Sequence, residues 1–175
     1  MKLAGWIQTY TGKKFWPLDP RPEDVDIVDI AHALAMQCRF GGHCLRFYPN
    51  AEHSVYVSHY SGADALAGLL HDGSEAYLLD MLSPIKAYMP DYKAAEKRCQ
   101  AVVYRRFGLP EMTPESVKAA DRRLLKTERM QIMAPTAEPW VIDAEEPLPI
   151  QIGGWAPSTA KVAFLDRFEQ LRRAA

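Results

Sequence analysis

The chain lacks an excess of charge of either sign, paired cysteines and long apolar runs. Its 21 Lys and Arg are matched by 22 Asp and Glu, a formal net charge of −1. That balance leaves no electrostatic footprint for polymeric nucleic acid or an anionic membrane surface, although a local basic pocket for a small anion stays open. The three cysteines, Cys38, Cys44 and Cys99, form no CxxC pair and are odd in number. Small buried thiols in a reducing compartment are expected, not a disulfide framework. No stretch reaches the length of a membrane span. Met1-Lys2-Leu3-Ala4-Gly5-Trp6 lacks the apolar run of a signal peptide, so a cytoplasmic location is expected. Internal repeats and low-complexity tracts are also missing. At 175 residues, 48% of them hydrophobic, the chain suffices for one domain, 1–175, with a sizeable core.

Periodicity points to helices. Trp6–Tyr10 and Thr11–Trp16 read as two short extended pieces around Gly12, a small hairpin. Pro17, Pro20 and Pro22 then exclude regular structure. Ile27, Ile30, Ala31, Leu34 and Ala35 mark a helix over 26–38, with Asp29 and His32 off its apolar stripe. Gly41 and Gly42 break it, and Leu45–Pro49 reads as extended. A second helix begins at Asn50 and sets His53 on the face of Val57, leaving His59 in solvent. A central helix is expected over 63–79, with Gly68 and Gly73 serving close helix approach or room for a ligand. Further helices are expected over 92–107, capped by Gly108, from Thr113-Pro114-Glu115 to about Met133, and from Ala156 onward. The last should turn Val162, Leu165, Phe168 and Leu171 inward. The stretch 134–149 reads as a loop pinned by Trp140 and Ile142. The fold expected is all-α with a small N-terminal extended segment.

Within this frame, Leu70-His71-Asp72-Gly73-Ser74-Glu75 stands out. On a helix, Glu75 is i+4 from His71 and i+3 from Asp72, so the three share a face. A histidine beside a carboxylate at the inner end of an apolar helix needs a partner. For a lone pair the ordinary reading is an imidazole N–H satisfied by the carboxylate. Two further groups shift the balance. His53 and Asp121 come from two other helices, each from an apolar-facing position. Two imidazoles and two carboxylates suit a divalent transition metal such as zinc, cobalt, manganese, iron or nickel. Such an ion lowers the pKa of bound water and polarises a phosphoryl oxygen.

The ordered segments Ala51-Glu52-His53-Ser54, Leu70–Glu75, Asp80-Met81-Leu82-Ser83-Pro84-Ile85-Lys86 and Lys118-Ala119-Ala120-Asp121 resemble the motifs of the HD-domain phosphohydrolases. The resemblance runs from about Arg39 to Met133. It is nearest to the branch of the five-prime-deoxynucleotidases and phage deoxynucleotide triphosphohydrolases. It implies a compact helical bundle with His53, His71, Asp72 and Asp121 as metal ligands. Glu75 would position or deprotonate the attacking water, and Asp80 would assist it or the leaving group. Arg39 and Phe40 match an arginine–aromatic pair that contacts phosphate and nucleoside; Lys86 and Lys118 would offer charge to phosphate. A homodimer is implied by the family alone. The spacing of His53 and His71 is shorter than usual in that branch and demands a tight turn near Ser61-Gly62. The expected activity is hydrolysis of a deoxynucleoside monophosphate to nucleoside and phosphate. The alternatives are release of triphosphate from a dNTP, a non-catalytic nucleotide-binding helical module, or an HD enzyme for a signalling nucleotide. The first forty residues would cover the site or form a dimer contact.

Overall fold

The computed structural model describes residues 5–174. Among these, strands β1 (Ile7–Gln8) and β2 (Lys14–Phe15) precede eight α-helices. They are α1 (Ile27–Met36), α2 (Asn50–Tyr60), α3 (Ala65–Leu70), α4 (Glu75–Leu78), α5 (Ser83–Lys86), α6 (Pro90–Arg106), α7 (Glu115–Ile132) and α8 (Pro157–Ala174). The chain is an all-α bundle carrying a small N-terminal hairpin. No helix among the described residues is long and apolar enough to cross a membrane.

The hairpin pairs Ile7 with Phe15 and Gln8 with Lys14, turning at Gly12, whose φ of +82° suits glycine. Thr11 at its tip donates from its backbone N–H and its hydroxyl to the two oxygens of Asp29, at 2.7 and 2.9 Å. Asp29, off the apolar stripe of α1, is thereby buried with its carboxylate satisfied. Phe15, fully buried, stacks on Tyr77 of α4 at 3.7 Å between ring centroids. The hairpin thus supports α4 from behind. The hairpin contributes no residue to the surface over His71 and Glu75, so it does not cover them.

Helix α2 is the axis of the bundle and packs against α1, α3, α7 and α8. Its buried residues include five polar ones, Asn50, Glu52, His53, Ser54 and Ser58. Burying that many polar groups in one helix demands partners. Glu52 accepts backbone N–H groups from Gly153, Gly154 and Trp155 at 2.8, 3.0 and 2.6 Å, and so anchors the segment leading into α8.

Gly62, with φ of +56°, makes the tight turn between α2 and α3 that the short His53–His71 spacing demands. A Cβ on Gly68 would meet the Ser61 hydroxyl at 2.5 Å, and one on Gly73 would meet Val103 Cγ1 at 2.8 Å. Both glycines serve close packing, against α2 and α6, and not ligand space.

Four local expectations are corrected. The central helix over 63–79 breaks at His71–Ser74, where Gly73 N–H bonds to Leu70 O and Glu75 N–H to Asp72 O, three residues back in each case. The cap of α7 is Pro114, while the Thr113 hydroxyl pairs with the Tyr104 hydroxyl at 3.3 Å. In α8 Ala160, Phe164 and Phe168, four residues apart, are the buried row, with Leu165 and Leu171 packed against the core beside it as expected, but Val162 is exposed. The cysteines are not uniformly buried: Cys99 is, whereas Cys38 and Cys44 are half-buried.

Candidate metal centre and its cleft

Three parts of the bundle aim ligating atoms at one point. His53 comes from α2, His71 and Asp72 from the turn after α3, and Asp121 from α7. One donor atom each of His53, His71 and Asp121 fall within 4.8 Å of one another. His53 Nε2 lies 3.3 Å from His71 Nε2 and 3.2 Å from Asp121 Oδ1. Asp72 flanks the group, with Oδ1 3.2 Å from His71 Nε2 and Oδ2 3.7 Å from His53 Nε2.

The other ring nitrogens decide what this cluster can hold. His71 Nδ1 donates to the Gly68 carbonyl at 2.8 Å, since a carbonyl only accepts. His53 Nδ1 donates to Glu128 Oε1 at 2.6 Å. With both Nδ1 atoms carrying hydrogen, neutral imidazoles turn two Nε2 lone pairs toward each other, flanked by carboxylate oxygens. Such a set repels itself unless a cation lies among its members, and nitrogen with oxygen ligands suits a divalent transition ion. The chain's own residues therefore fit a metal. Without one a proton takes the cation's place. Burial and the Arg39 guanidinium push the His53 pKa down, but Glu128 and Asp121 outweigh them and raise it to about 9. Asp121 is held below the usual carboxylate range: crowding by protein pushes it up, and the hydrogen bond and charge of His53, then His71 and Arg39, pull it further down.

Glu128 is the functional group that sequence reasoning missed. It lies seven residues after Asp121 on α7, is fully buried, and fixes the tautomer of His53. A carboxylate behind a metal-binding histidine orients the ring and raises its basicity. The signal was an acid on the apolar face of α7, two turns beyond Asp121. Arg39 completes this layer. Its guanidinium turns inward, with Nε 3.3 Å from Glu128 Oε1 and Nη1 3.6 Å from Asp72 Oδ2. The buried acid dictates that direction. Phe40 packs beside Trp140, with ring centroids 6.3 Å apart.

Glu75 opens α4 and is only 7% exposed. Asn50 Nδ2 donates to its Oε2 at 3.0 Å. Burial, then the charges of Asp72 and Asp80, push its pKa well above the ordinary value, against the pull of Arg39 and Lys86. A cleft of about 360 Å³ runs over His71, Asp72 and Glu75. Its far wall carries Lys86, Lys93, Lys97 and Lys118. Lys86 Nζ sits 2.6 Å from Glu96 and 4.0 Å from Glu75, and Lys118 Nζ 3.5 Å from Glu115. Lys93 and Lys97, one helical turn apart on α6, are basic residues of the cleft that the motifs do not mark. Asp80, its N–H bonded to Gln37 Oε1 at 3.2 Å, stands outside the cleft lining.

The chain matches no model of a known protein family. It is 35% identical over 169 residues to the uncharacterized protein YfdR of Escherichia coli (strain K12), an alignment covering 95% of each chain. The chain belongs to the YfdR family. It is also 34% identical to an uncharacterized protein of Rhodobacter capsulatus, over 99% of this chain and 98% of that one. Both alignments cover nearly the whole of each chain.

Proposed function

We propose that this chain is a metal-dependent phosphohydrolase of the HD-domain type that hydrolyses deoxynucleotides, releasing phosphate from a deoxynucleoside monophosphate. One observation carries the reading: two imidazole Nε2 atoms 3.3 Å apart, their Nδ1–H groups committed elsewhere, facing two carboxylates beside a buried, proton-avid Glu75.

His53, His71, Asp72 and Asp121 would hold the ion. The metal, when bound, supplies a water of lowered pKa and polarises a phosphoryl oxygen. Glu128 keeps His53 in the ligating tautomer. Arg39 balances Glu128 and Asp72, so that neither is left as a buried unpaired charge. Glu75 accepts the proton of the water that attacks phosphorus, and burial with the charges of Asp72 and Asp80 raises its affinity for that proton. Asn50 holds the Glu75 carboxylate in one orientation. Asp80 raises the affinity of Glu75 for that proton by its charge and would assist the leaving oxygen. Lys86, Lys93, Lys97 and Lys118 supply positive charge to a phosphate entering the cleft. Phe40 offers an aromatic surface for the nucleoside.

A second reading, release of triphosphate from a dNTP, is favoured by one feature. Lys93 and Lys97 lie in the cleft without an ion-pair partner among the described residues, charge beyond what one phosphate needs. The deciding experiment supplies mono- and triphosphates of all four deoxynucleosides to chelated protein reloaded with cobalt or manganese, reading phosphate and triphosphate separately. Phosphate from monophosphates is the expected result. Triphosphate from a dNTP favours the second reading. Bound metal with no turnover on any of them overturns both.

A further inference from the structure

Cys38 and Cys44 take no part in the reading above, and their Sγ atoms are 3.5 Å apart. They stand at the two ends of the loop Arg39-Phe40-Gly41-Gly42-His43. The loop is tightly wound: Phe40, Gly41 and Gly42 have φ values of +57°, +59° and +82°. Phe40 carries a Cβ in a region that strongly prefers glycine, so its surroundings must hold it there. They do so on both flanks. Arg39 N–H bonds to Tyr48 O at 3.0 Å, and Leu45 N–H to Ile132 O at 2.8 Å. The two thiols are thus brought together by backbone fixed elsewhere. A disulfide bond is about 2.05 Å long, so roughly 1.5 Å of approach remains, within the reach of side-chain rotation. Cys38 and Cys44 are half-buried residues, whereas Cys99 is buried.

We infer that Cys38 and Cys44 form a reversible dithiol–disulfide pair that locks the Arg39 loop when a small-molecule disulfide of the glutathione type oxidises it. The Cys38 thiolate attacks one sulfur of that disulfide and expels a glutathione thiolate. The Cys44 thiolate then attacks Cys38 Sγ of the mixed disulfide and expels the second. The chain loses two electrons and two protons, and the reagent is reduced to two glutathione thiols. Burial and the neighbouring Cys38 push the Cys44 pKa up to about 11, so Cys44 suits the second, intramolecular attack better than the first. The ring so closed contains Arg39, whose guanidinium touches Glu128 and Asp72. Redox state would then set the freedom of a residue paired with Glu128 and Asp72. In a reducing compartment the dithiol form prevails.

Trypsin cuts after Arg39, which places Cys38 and Cys44 in different peptides, 15–39 and 40–46. Full-length protein is exposed to oxidised glutathione, blocked with iodoacetamide and digested without reductant. The expected result is peptides 15–39 and 40–46 joined, lighter by two hydrogens than their sum. Dithiothreitol should separate them, with Cys99 unmodified until denaturation. Cys44→Ser should stop at a glutathione adduct on Cys38. Amide exchange across 39–44 should slow in the oxidised wild type. Both thiols blocked by iodoacetamide, or glutathione adducts without joined peptides, would overturn the pair. Joined peptides with unchanged exchange would overturn the locking. None of these readouts depends on the hydrolase reading.

Discussion

The inner wall of the cleft and its outer rim hold charge in opposite ways. Behind the inner wall of His71, Asp72 and Glu75, His53, Glu128 and Arg39 are buried or nearly so, and each is fixed by another: Glu128 bonds His53 at 2.6 Å and lies 3.3 Å from Arg39. On the rim, Lys118 keeps half of its side-chain surface in water and leans on Glu115 at 3.5 Å. Buried charges must be paired to persist, and the pairing fixes their geometry. Exposed lysines contribute a screened, mobile field. The wall therefore suits holding an ion in place, and the rim suits drawing an anion in. A second contrast lies within the wall. Glu52 and Glu128 are both fully buried beside His53. Glu52 is satisfied by three backbone N–H groups, a structural anchor. Glu128 is satisfied by the ionisable side chains of His53 and Arg39, and so is linked to the candidate metal ligands.

Four predictions probe this contrast. The largest effect should come from Glu75→Gln, with turnover falling by about 10²–10⁴-fold. Metal content by mass spectrometry should match wild type, because Glu75 is not among the ligands. Next, Glu128→Gln should weaken metal affinity by about 10–100-fold. Its counterpart Glu52→Gln should instead lower thermal stability, by about 1–3 kcal/mol, with ion affinity of the folded protein unchanged. If the two variants behave alike, the distinction between anchor and tautomer-holder fails.

The third concerns pH. The pKa of His53 is raised on folding from an ordinary 6.5 to about 9 in the metal-free chain. The stabilisation this brings is complete below pH 6.5 and is lost as pH rises through about 9, a loss of roughly 3 kcal/mol. Glu128 acts in the other direction: its folded pKa is lowered, so its contribution disappears as pH falls below the carboxylate range. Melting temperatures of chelated protein should decline from pH 6.5 to 9, and cobalt should abolish that decline, since ligation takes the neutral imidazole. The smallest effect should come from Lys93→Ala and Lys97→Ala. Each should raise KM about 2–5-fold, less so at high salt, and shift stability by no more than about 0.5 kcal/mol.

Much of the wall was legible in the chain because its residues interrupt apolar patterns. His53 shares a face with Val57, and Asp121 sits between Ala120 and Leu124. Periodicity and turn residues mark the hairpin and six helical segments in the same way, whereas α3 and α4 share the one helix expected over 63–79 and α5 goes unmarked. Glu128 obeys the same rule, two turns beyond Asp121 on the buried face of α7. Glu52 gave no local sign, because its partners lie 101 to 103 residues further along the chain. Lys93 and Lys97 look like the solvated face of an amphipathic helix until α6 docks across from His71. The break at His71–Ser74 was hidden because residues three and four apart stay close on a tightened turn as on a helix. The contact between Cys38 and Cys44 depends on a loop with three left-handed residues, a geometry that composition does not announce.

The most direct test of the account is calorimetric titration of chelated protein with cobalt, wild type against His71→Ala. The account predicts one tight site per chain in the wild type and none in the variant, with both proteins folded by circular dichroism. A wild-type chain that binds no divalent ion, or a variant that binds as tightly, would contradict it.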